Sequence, residues 1–341
     1  VGVDAATPGY VPGPIQTGVW KVILGLYRIP DDPVEVSVDI WFSSEARGAY
    51  AAPEPAKVRR RQPGWYKGDL QCHTFHSDAK GSPEQLHATA LREGLDFLAV
   101  TDHGEYLGVV PAMDMPSSHL SQTAIAQSVF GEDASDPGRS FLRVGTTVVT
   151  GEEIEEIYDR DLIDSVWAAT IGSAERNNQP GKFTAFSGYE FTAMMPVPGD
   201  GPAAAANLHR NVIFRGAAPD RLFSTLDSPN PEDLWVWMDA QRAEGLDVMS
   251  IPHNSNASNG EMFASETYEG GQLTANYAVT RMRNEPVIEI TQVKGTSEAH
   301  PALSPNDEWA NFEIYDTLVG SAAKSTPHLG GFARNALARG L

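Results

Sequence analysis

The stretch GDLQCHTFHSDAKGSPEQLHATALREGLDFLAVTDH, residues 68–103, decides the fold class because it predicts a strand, a loop, a helix and a second strand in that order. Residues 65–74 predict a short strand that runs into polar residues, and the run at 95–105 is typical of a buried strand that ends in charged residues. Between them, SPEQLHATALREG at 82–94 has a capping serine, a proline in its first turn and an amphipathic pattern. This order predicts an α/β fold.

The same alternation continues along the chain. Helices are predicted at 161–178 and 230–245, and strands at 182–192, 210–216, 246–256 and 285–295. Strands that alternate with helices predict a parallel sheet or barrel. Residues 104–152, rich in Ser, Asp and Gly, are interpreted as an irregular insertion into a main domain that covers 64–341.

The first 63 residues have a different composition. Two apolar segments, WKVILGLYRI at 20–29 and VEVSVDIWF at 34–42, are bounded by turn signals, and the second alternates with a period close to two. The polar, basic segment APEPAKVRRRQPG follows at 52–64. Residues 1–63 therefore predict a small β unit and a linker, in which the arginine run is a solvated segment.

Charge and composition exclude several classes of function. The chain has 341 residues and a formal net charge of −20, which disfavours nucleic acid and membrane surfaces as partners. One cysteine excludes an internal disulfide, and there is no apolar run of about 18 residues that would span a bilayer. We expect a soluble bacterial-type protein, cytoplasmic or exported; because the chain begins at Val1, a leader could have been removed.

Potential metal ligands recur where predicted strands begin or end. His73 and Asp78 follow one strand, Asp102 and His103 end the next, and Glu190 ends a third, while His209 begins a strand and His253 ends one. Residues at the carboxyl ends of barrel strands converge on one mouth. Six of these residues form a nitrogen and oxygen ligand set that suits Zn, Mn or Fe: His73, Asp78, His103, Glu190, His209 and His253.

Each of these residues alone has a simpler interpretation as a polar group that makes local hydrogen bonds. The recurrence at one structural position favours the metal site. Cys72 alternates away from His73 along its strand and is interpreted as a small buried residue, not a nucleophile. His76 is interpreted as a neighbour that shapes the site, His87 as a surface residue of its helix, and His119 and His328 as loop residues.

These motifs carry a family resemblance over nearly the whole chain. GDLQCHTFHSD followed by LDFLAVTDH resembles the opening of the PHP (polymerase and histidinol phosphatase) superfamily, and the first hundred residues are similar to its carbaryl-hydrolase-like CehA/McbA type. After His103, segments such as KFTAFSGYEFT, NLHRNVIFRG and IPHNSNASNGEMF resemble the family called domain of unknown function 3604. The resemblance implies a distorted (β/α)7 TIM-like barrel with two or three divalent metal ions at its mouth.

The resemblance implies that Glu190 is the carboxylate that bridges the metal ions. The chain departs from the family's motifs at two places. Gln71 replaces the first histidine of the usual His-x-His motif, and a neutral amide is a weaker ligand than imidazole. The closing Asp-x-His motif does not occur after His253. Either the chain is a fragment that lacks the last barrel strands, which we favour, or Glu298 and His300 take that place as weaker ligands.

The implied activity is metal-dependent hydrolysis. A metal-bound hydroxide would cleave a phosphoester or a carboxylic or carbamic ester of a small molecule. Asp102 is expected to orient a ligand imidazole, and Arg210 and Lys294 to bind substrate charge. No Gly-x-Ser-x-Gly elbow or Walker loop supports another enzyme class. The alternatives are a non-catalytic or degenerate metal-binding module, or a structural barrel; the substrate, the native metal and the oligomeric state stay open.

Overall fold

The computed structural model describes residues 64–108, 159–197, 205–318 and 323–339. These residues belong to a compact unit that spans Val58–Leu341. The predicted β unit and linker at 1–63 lie outside the described residues. So does most of the predicted insertion, of which the described part at 104–108 contains a short 3₁₀ turn, Gly104–Tyr106.

The centre of the described part is a five-stranded sheet that curls into a half-barrel. Its order is β1, β2, β3, β6, β7, which are Gly68–Cys72, Phe97–Val100, Thr184–Phe191, Arg210–Phe214 and Val248–Pro252. A two-stranded ribbon of β4 (Met194–Pro196) and β5 (Ala205–Asn207) leads into β6. The described residues therefore form an α/β half-barrel, and the full seven-unit barrel that the resemblance implied stays a prediction.

The strands of this sheet do not all run in one direction. β1, β2 and β3 are parallel, but β6 is antiparallel to β3, and β7 is antiparallel to β6. The prediction of a parallel sheet is therefore wrong for β6. The short ribbon between β3 and β6 returns the chain as a hairpin does, whereas parallel neighbours need a crossover connection.

Five helices occur in the described ranges. They are α1 (Pro83–Arg92), α2 (Arg160–Asn177), α3 (Pro231–Ala243), α4 (Ala275–Asn284) and α5 (Ala333–Ala338). The predictions of α1, α2 and α3 are confirmed, whereas α4 and α5 were not predicted. No helix in these ranges is long and apolar enough to cross a membrane.

The strand predicted at 285–295 is not formed. Only Thr291–Gln292 (β8) and Gly295–Thr296 (β9) pair, as a minimal hairpin. Three of its apolar residues, Val287, Ile290 and Val293, are exposed, and Val293 has 97% of its surface accessible. Only Ile288 packs against a core cluster. An apolar segment does not supply its own partner strand, and without one most of this segment stays irregular.

The main core lies between the sheet and helices α2 and α3. Trp167 of α2 is fully buried, and its ring centroid lies 5.7 Å from that of Tyr189 and 6.2 Å from that of Phe214. Leu234 and Met238 of α3 complete this cluster. Burial of these large side chains fixes the strands whose ends carry the predicted ligands.

Two residues whose environment was interpreted from the sequence, His87 and Cys72, lie in or beside the smaller core next to α1. His87 was placed on the surface, but it is fully buried: its Nδ1 lies 2.8 Å from the Pro83 carbonyl oxygen, and burial lowers the pKa of its ring. Cys72 is half-buried and packs against the cluster that contains Phe183. Burial, reinforced by Asp69, raises the pKa of its thiol, as expected for an unreactive packing residue.

Helix α1 begins with a complete capping box. The Ser82 hydroxyl accepts a hydrogen bond from the Gln85 backbone N–H at 3.2 Å, and the Gln85 side chain accepts one from the Ser82 N–H at 3.0 Å. Ser82→Ala removes one acceptor, so we expect the free energy of unfolding to fall by about 1 kcal/mol. Chemical denaturation measures this loss. Ser82→Asp keeps an acceptor and is the matched control; equal stability of Ser82→Ala and wild type would contradict the role of the cap.

Candidate metal centre

Five of the six predicted ligands meet at one edge of the sheet. His73 follows β1, His103 follows β2, Glu190 lies near the end of β3 and His253 follows β7. His209 directly precedes β6. Because β6 runs antiparallel to its neighbours, its first residues lie at the edge where the other strands end.

These residues form two groups of potential metal ligands that share one carboxylate. The first group is His73, His103 and Glu190, and the second is Glu190, His209 and His253. In each group one ligand atom of every residue lies within 4.8 Å of the others. A carboxylate common to both groups can bridge two cations.

The two oxygens of Glu190 face different histidines. Its Oε1 lies 2.7 Å from His209 Nδ1 and 3.2 Å from His103 Nδ1. Its Oε2 lies 3.2 Å from His73 Nε2 and 3.4 Å from His253 Nε2. Each oxygen therefore contacts one histidine of each group.

The sixth predicted ligand, Asp78, lies at the more open side of the site. Its Oδ1 is 2.8 Å from His73 Nδ1, and its Oδ2 is 3.7 Å from His103 Nε2. The side chains of Asp78 and His73 are 30% and 18% exposed, whereas those of the other four are at most 8% exposed. The side of the site next to the loop after β1 is therefore the more exposed one.

Several buried polar atoms of the site lack hydrogen-bond partners within the described part of the chain. They are Glu190 Oε1, His209 Nε2, and both ring nitrogens of His253. Glu190 Oε1 is thus close to His209 Nδ1 without hydrogen-bond geometry. Buried polar atoms are normally satisfied, and atoms that converge without hydrogen bonding each other fit a cation between them. The residues present can hold a metal ion.

The electrostatics of the site also suit a cation. Burial alone would raise the pKa of the Glu190 carboxyl, but His103, His253 and His209 outweigh it and hold this pKa well below its usual range. Burial lowers the pKa of His209 to about 4, which leaves a neutral imidazole at pH 7. For His73, hydrogen bonds to Asp78 and Glu190 outweigh burial and raise the pKa to about 9. A cation at His73 must therefore displace a proton.

Asp102 does not contact an imidazole in the way that was predicted. Its carboxylate accepts hydrogen bonds from the Thr74 backbone N–H and hydroxyl, both at 2.6 Å, and from the Ser77 hydroxyl at 2.7 Å. Thr74 and Ser77 belong to the loop that carries His73 and Asp78. Asp102 therefore fixes the path of this loop and acts on the ligands through the backbone.

The two cations predicted to bind substrate have other surroundings. Arg210 is buried, and its guanidinium donates to Glu285 and to the Leu208 carbonyl, so it is not available to a substrate. Lys294 lies half-buried in the turn between β8 and β9. Burial raises the pKa of the nearby Glu289 carboxyl, and Lys294 only partly offsets this.

Of the three weaker ligand candidates, Glu298 and His300 enter neither group. Glu298 pairs with Arg334 at 2.6 Å. His300 Nδ1 accepts from the Ala302 N–H at 3.1 Å. Gln71 does reach the site, but through its amide nitrogen, which lies 3.4 Å from Glu190 Oε2.

Two polar contacts of the site were missed from the sequence. The Thr192 hydroxyl lies 2.7 Å from His103 Nδ1 and thereby orients that ring. Strand alternation could have found it, because Thr192 is two residues after Glu190 and faces the same side. The Gln292 side chain donates a hydrogen bond to Gln71 at 3.0 Å, across 221 residues of sequence. No sequence pattern near Gln292 predicts this contact.

Comparison with known proteins agrees with one part of the resemblance. A family model described as Protein of unknown function (DUF3604) matches residues 74–341. No curated protein matches the chain significantly. The match covers most of the chain and confirms the resemblance that the segments after His103 indicated, while the link to the PHP superfamily stays a prediction. The chain belongs to the DUF3604 family of proteins of unknown function.

Proposed function

We propose that this protein is a metal-dependent hydrolase of the PHP type that cleaves a phosphoester or a carboxylic or carbamic ester of a small molecule. The observation that carries the proposal is the sharing of Glu190 between two buried ligand groups. A pair of divalent ions, Zn, Mn or Fe, would lower the pKa of a water molecule and polarise the oxygen of the scissile group.

The residues of the chain have distinct parts in this proposal. His73 and His103 would hold one ion, His209 and His253 would hold the other, and Glu190 is shared by both groups. Asp78 closes the first group at its exposed side, where the substrate would approach. Asp102 keeps the loop of Asp78 in place through Thr74 and Ser77.

Buried carboxylates and histidines also explain why water is kept from most of the site. Glu190 and His253 are each about 1% exposed. In such surroundings the attraction between fixed ligands and a divalent ion is screened less than at the surface. The same burial makes the site selective for groups small enough to reach it past Asp78.

The test is turnover of a chromogenic phosphodiester and of a naphthyl ester by chelated protein, before and after Mn²⁺ or Zn²⁺ is restored. We expect cleavage of at least one substrate only when metal is present. Elemental analysis of the same samples is expected to give about two ions per chain, one for each ligand group. Metal bound at this ratio without turnover of either substrate class would refute the hydrolase and leave the non-catalytic metal-binding module.

A further inference from the structure

Two glutamines connect the shared carboxylate Glu190 to a second carboxylate. Gln71 donates its amide N–H to Glu190 Oε2 at 3.4 Å, and its carbonyl oxygen accepts from the Gln292 amide at 3.0 Å. The same Gln292 nitrogen donates to Glu289 Oε1 at 2.8 Å. We call Gln71 and Gln292 together the glutamine bridge; it joins β1 to the β8–β9 hairpin.

The two carboxylates fix the direction of both amides. At each end of the glutamine bridge a carboxylate oxygen accepts a hydrogen bond from an amide nitrogen, Gln71 to Glu190 and Gln292 to Glu289. The carbonyl oxygen of Gln71 then faces Gln292 and accepts a hydrogen bond from its NH₂ group. Reversing either amide would place a carbonyl oxygen against a carboxylate or against another carbonyl, and one buried acceptor would lose its donor.

The orientation of Gln71 decides what it can do for a metal ion. Its NH₂ group points at the site and repels a cation, while its only ligand atom, the carbonyl oxygen, is used by Gln292. The oxygen that Gln71 holds, Glu190 Oε2, is the one that faces His73 and His253, a histidine from each ligand group.

We propose that Gln71 is a positioning residue that orients Glu190 between two ion positions, with Gln292 and Glu289 fixing its amide, and that the site takes two ions and no third. The inference rests on the proposed function in that metal ions occupy the site. It departs from the expectation that Gln71 acts as a weak ligand.

The experiment compares wild type with Gln71→Leu, Gln292→Leu and the double variant, each stripped of metal and titrated with Mn²⁺. Isothermal titration gives the number and affinity of bound ions. Electron paramagnetic resonance reports the exchange coupling between two Mn²⁺ ions that share a carboxylate, which a change in general stability does not alter. Gln272→Leu, at an exposed glutamine, is the matched control.

We expect wild type to bind two ions with a coupled spectrum. Gln71→Leu should weaken the second ion by about tenfold or more and reduce the coupling. Gln292→Leu should change both in the same direction, and the double variant should lose no more than Gln71→Leu, because both residues act through one contact. The control should match wild type.

Three bound ions in wild type, or unchanged affinity and coupling in both single variants, would overturn the inference. If Gln71→Leu does not give a native near-ultraviolet circular dichroism spectrum, Gln292→Leu decides by the same criteria, since Gln292 is in a short peripheral hairpin. The metal readouts do not depend on turnover. Failure to cleave any substrate would therefore end the proposed function without deciding the role of Gln71.

Discussion

Glu190→Gln is expected to abolish tight metal binding at both ligand groups. Glu190 is the only carboxylate common to the two groups, and it supplies the negative charge next to four histidines. A glutamine keeps the shape but removes that charge and one acceptor oxygen. Loss of an outer partner of a ligand typically costs 10–100-fold in metal affinity, and the loss of a shared ligand should exceed about 100-fold for each ion.

The measurement is elemental analysis after dialysis, together with titration of the chelated protein with Zn²⁺ or Mn²⁺. Wild type should keep about two ions and Glu190→Gln fewer than about one. Glu84→Gln changes an exposed carboxylate that pairs with Arg176 on the surface, so it should bind metal as wild type does. Two ions held by Glu190→Gln with wild-type affinity would show that Glu190 is not the shared ligand.

Glu285→Ala is expected to give the largest loss of stability. Glu285 is buried and accepts hydrogen bonds from Arg210, from the Trp235 indole at 2.9 Å and from Arg281 Nε at 3.1 Å. The two arginines are also buried, and Arg281 lies over the Phe263 ring at 4.5 Å. Without Glu285, both guanidinium groups lose their counter-charge.

Removing one partner of a buried ion pair typically costs about 3–5 kcal/mol, and we expect a loss of that size in the free energy of unfolding. Glu285→Gln keeps the shape and one acceptor and should lose less. Chemical denaturation measures both, and Glu308→Ala, at an exposed glutamate, should stay within about 0.5 kcal/mol of wild type. A loss below about 1 kcal/mol for Glu285→Ala would mean that the arginines find other partners.

The contacts of Glu285 with Arg210 and Arg281 also connect the stability of the fold to the candidate metal centre. Arg210 is adjacent to His209 in the chain, so a shift of β6 after loss of Glu285 would move one of the ligands. We therefore expect Glu285→Ala to weaken metal binding as well as stability. The structural role of Arg210 explains why a cation that the sequence suggested for substrate binding is found in the core.

Much of the local structure could be predicted from the sequence. The capping box of α1, the first-turn proline of α3 and the apolar runs of β2 and β7 are signals that lie within a few residues, and the structure forms these elements. The placement of chemistry-bearing residues at strand ends was visible for the same reason. The prediction of a strand at 285–295 was wrong because a strand also needs a partner, which local sequence does not encode.

By itself the sequence determined which residues could serve as ligands and that they would follow strands, since both depend on residue type and short-range pattern. Only the tertiary structure decided the reversed direction of β6, which brings His209 to the same edge as His253 and Glu190. It also decided that Gln71 presents its amide nitrogen to Glu190, because the partner that fixes this orientation, Gln292, lies 221 residues away. Contacts of such separation depend on how whole elements pack, and no local pattern records them.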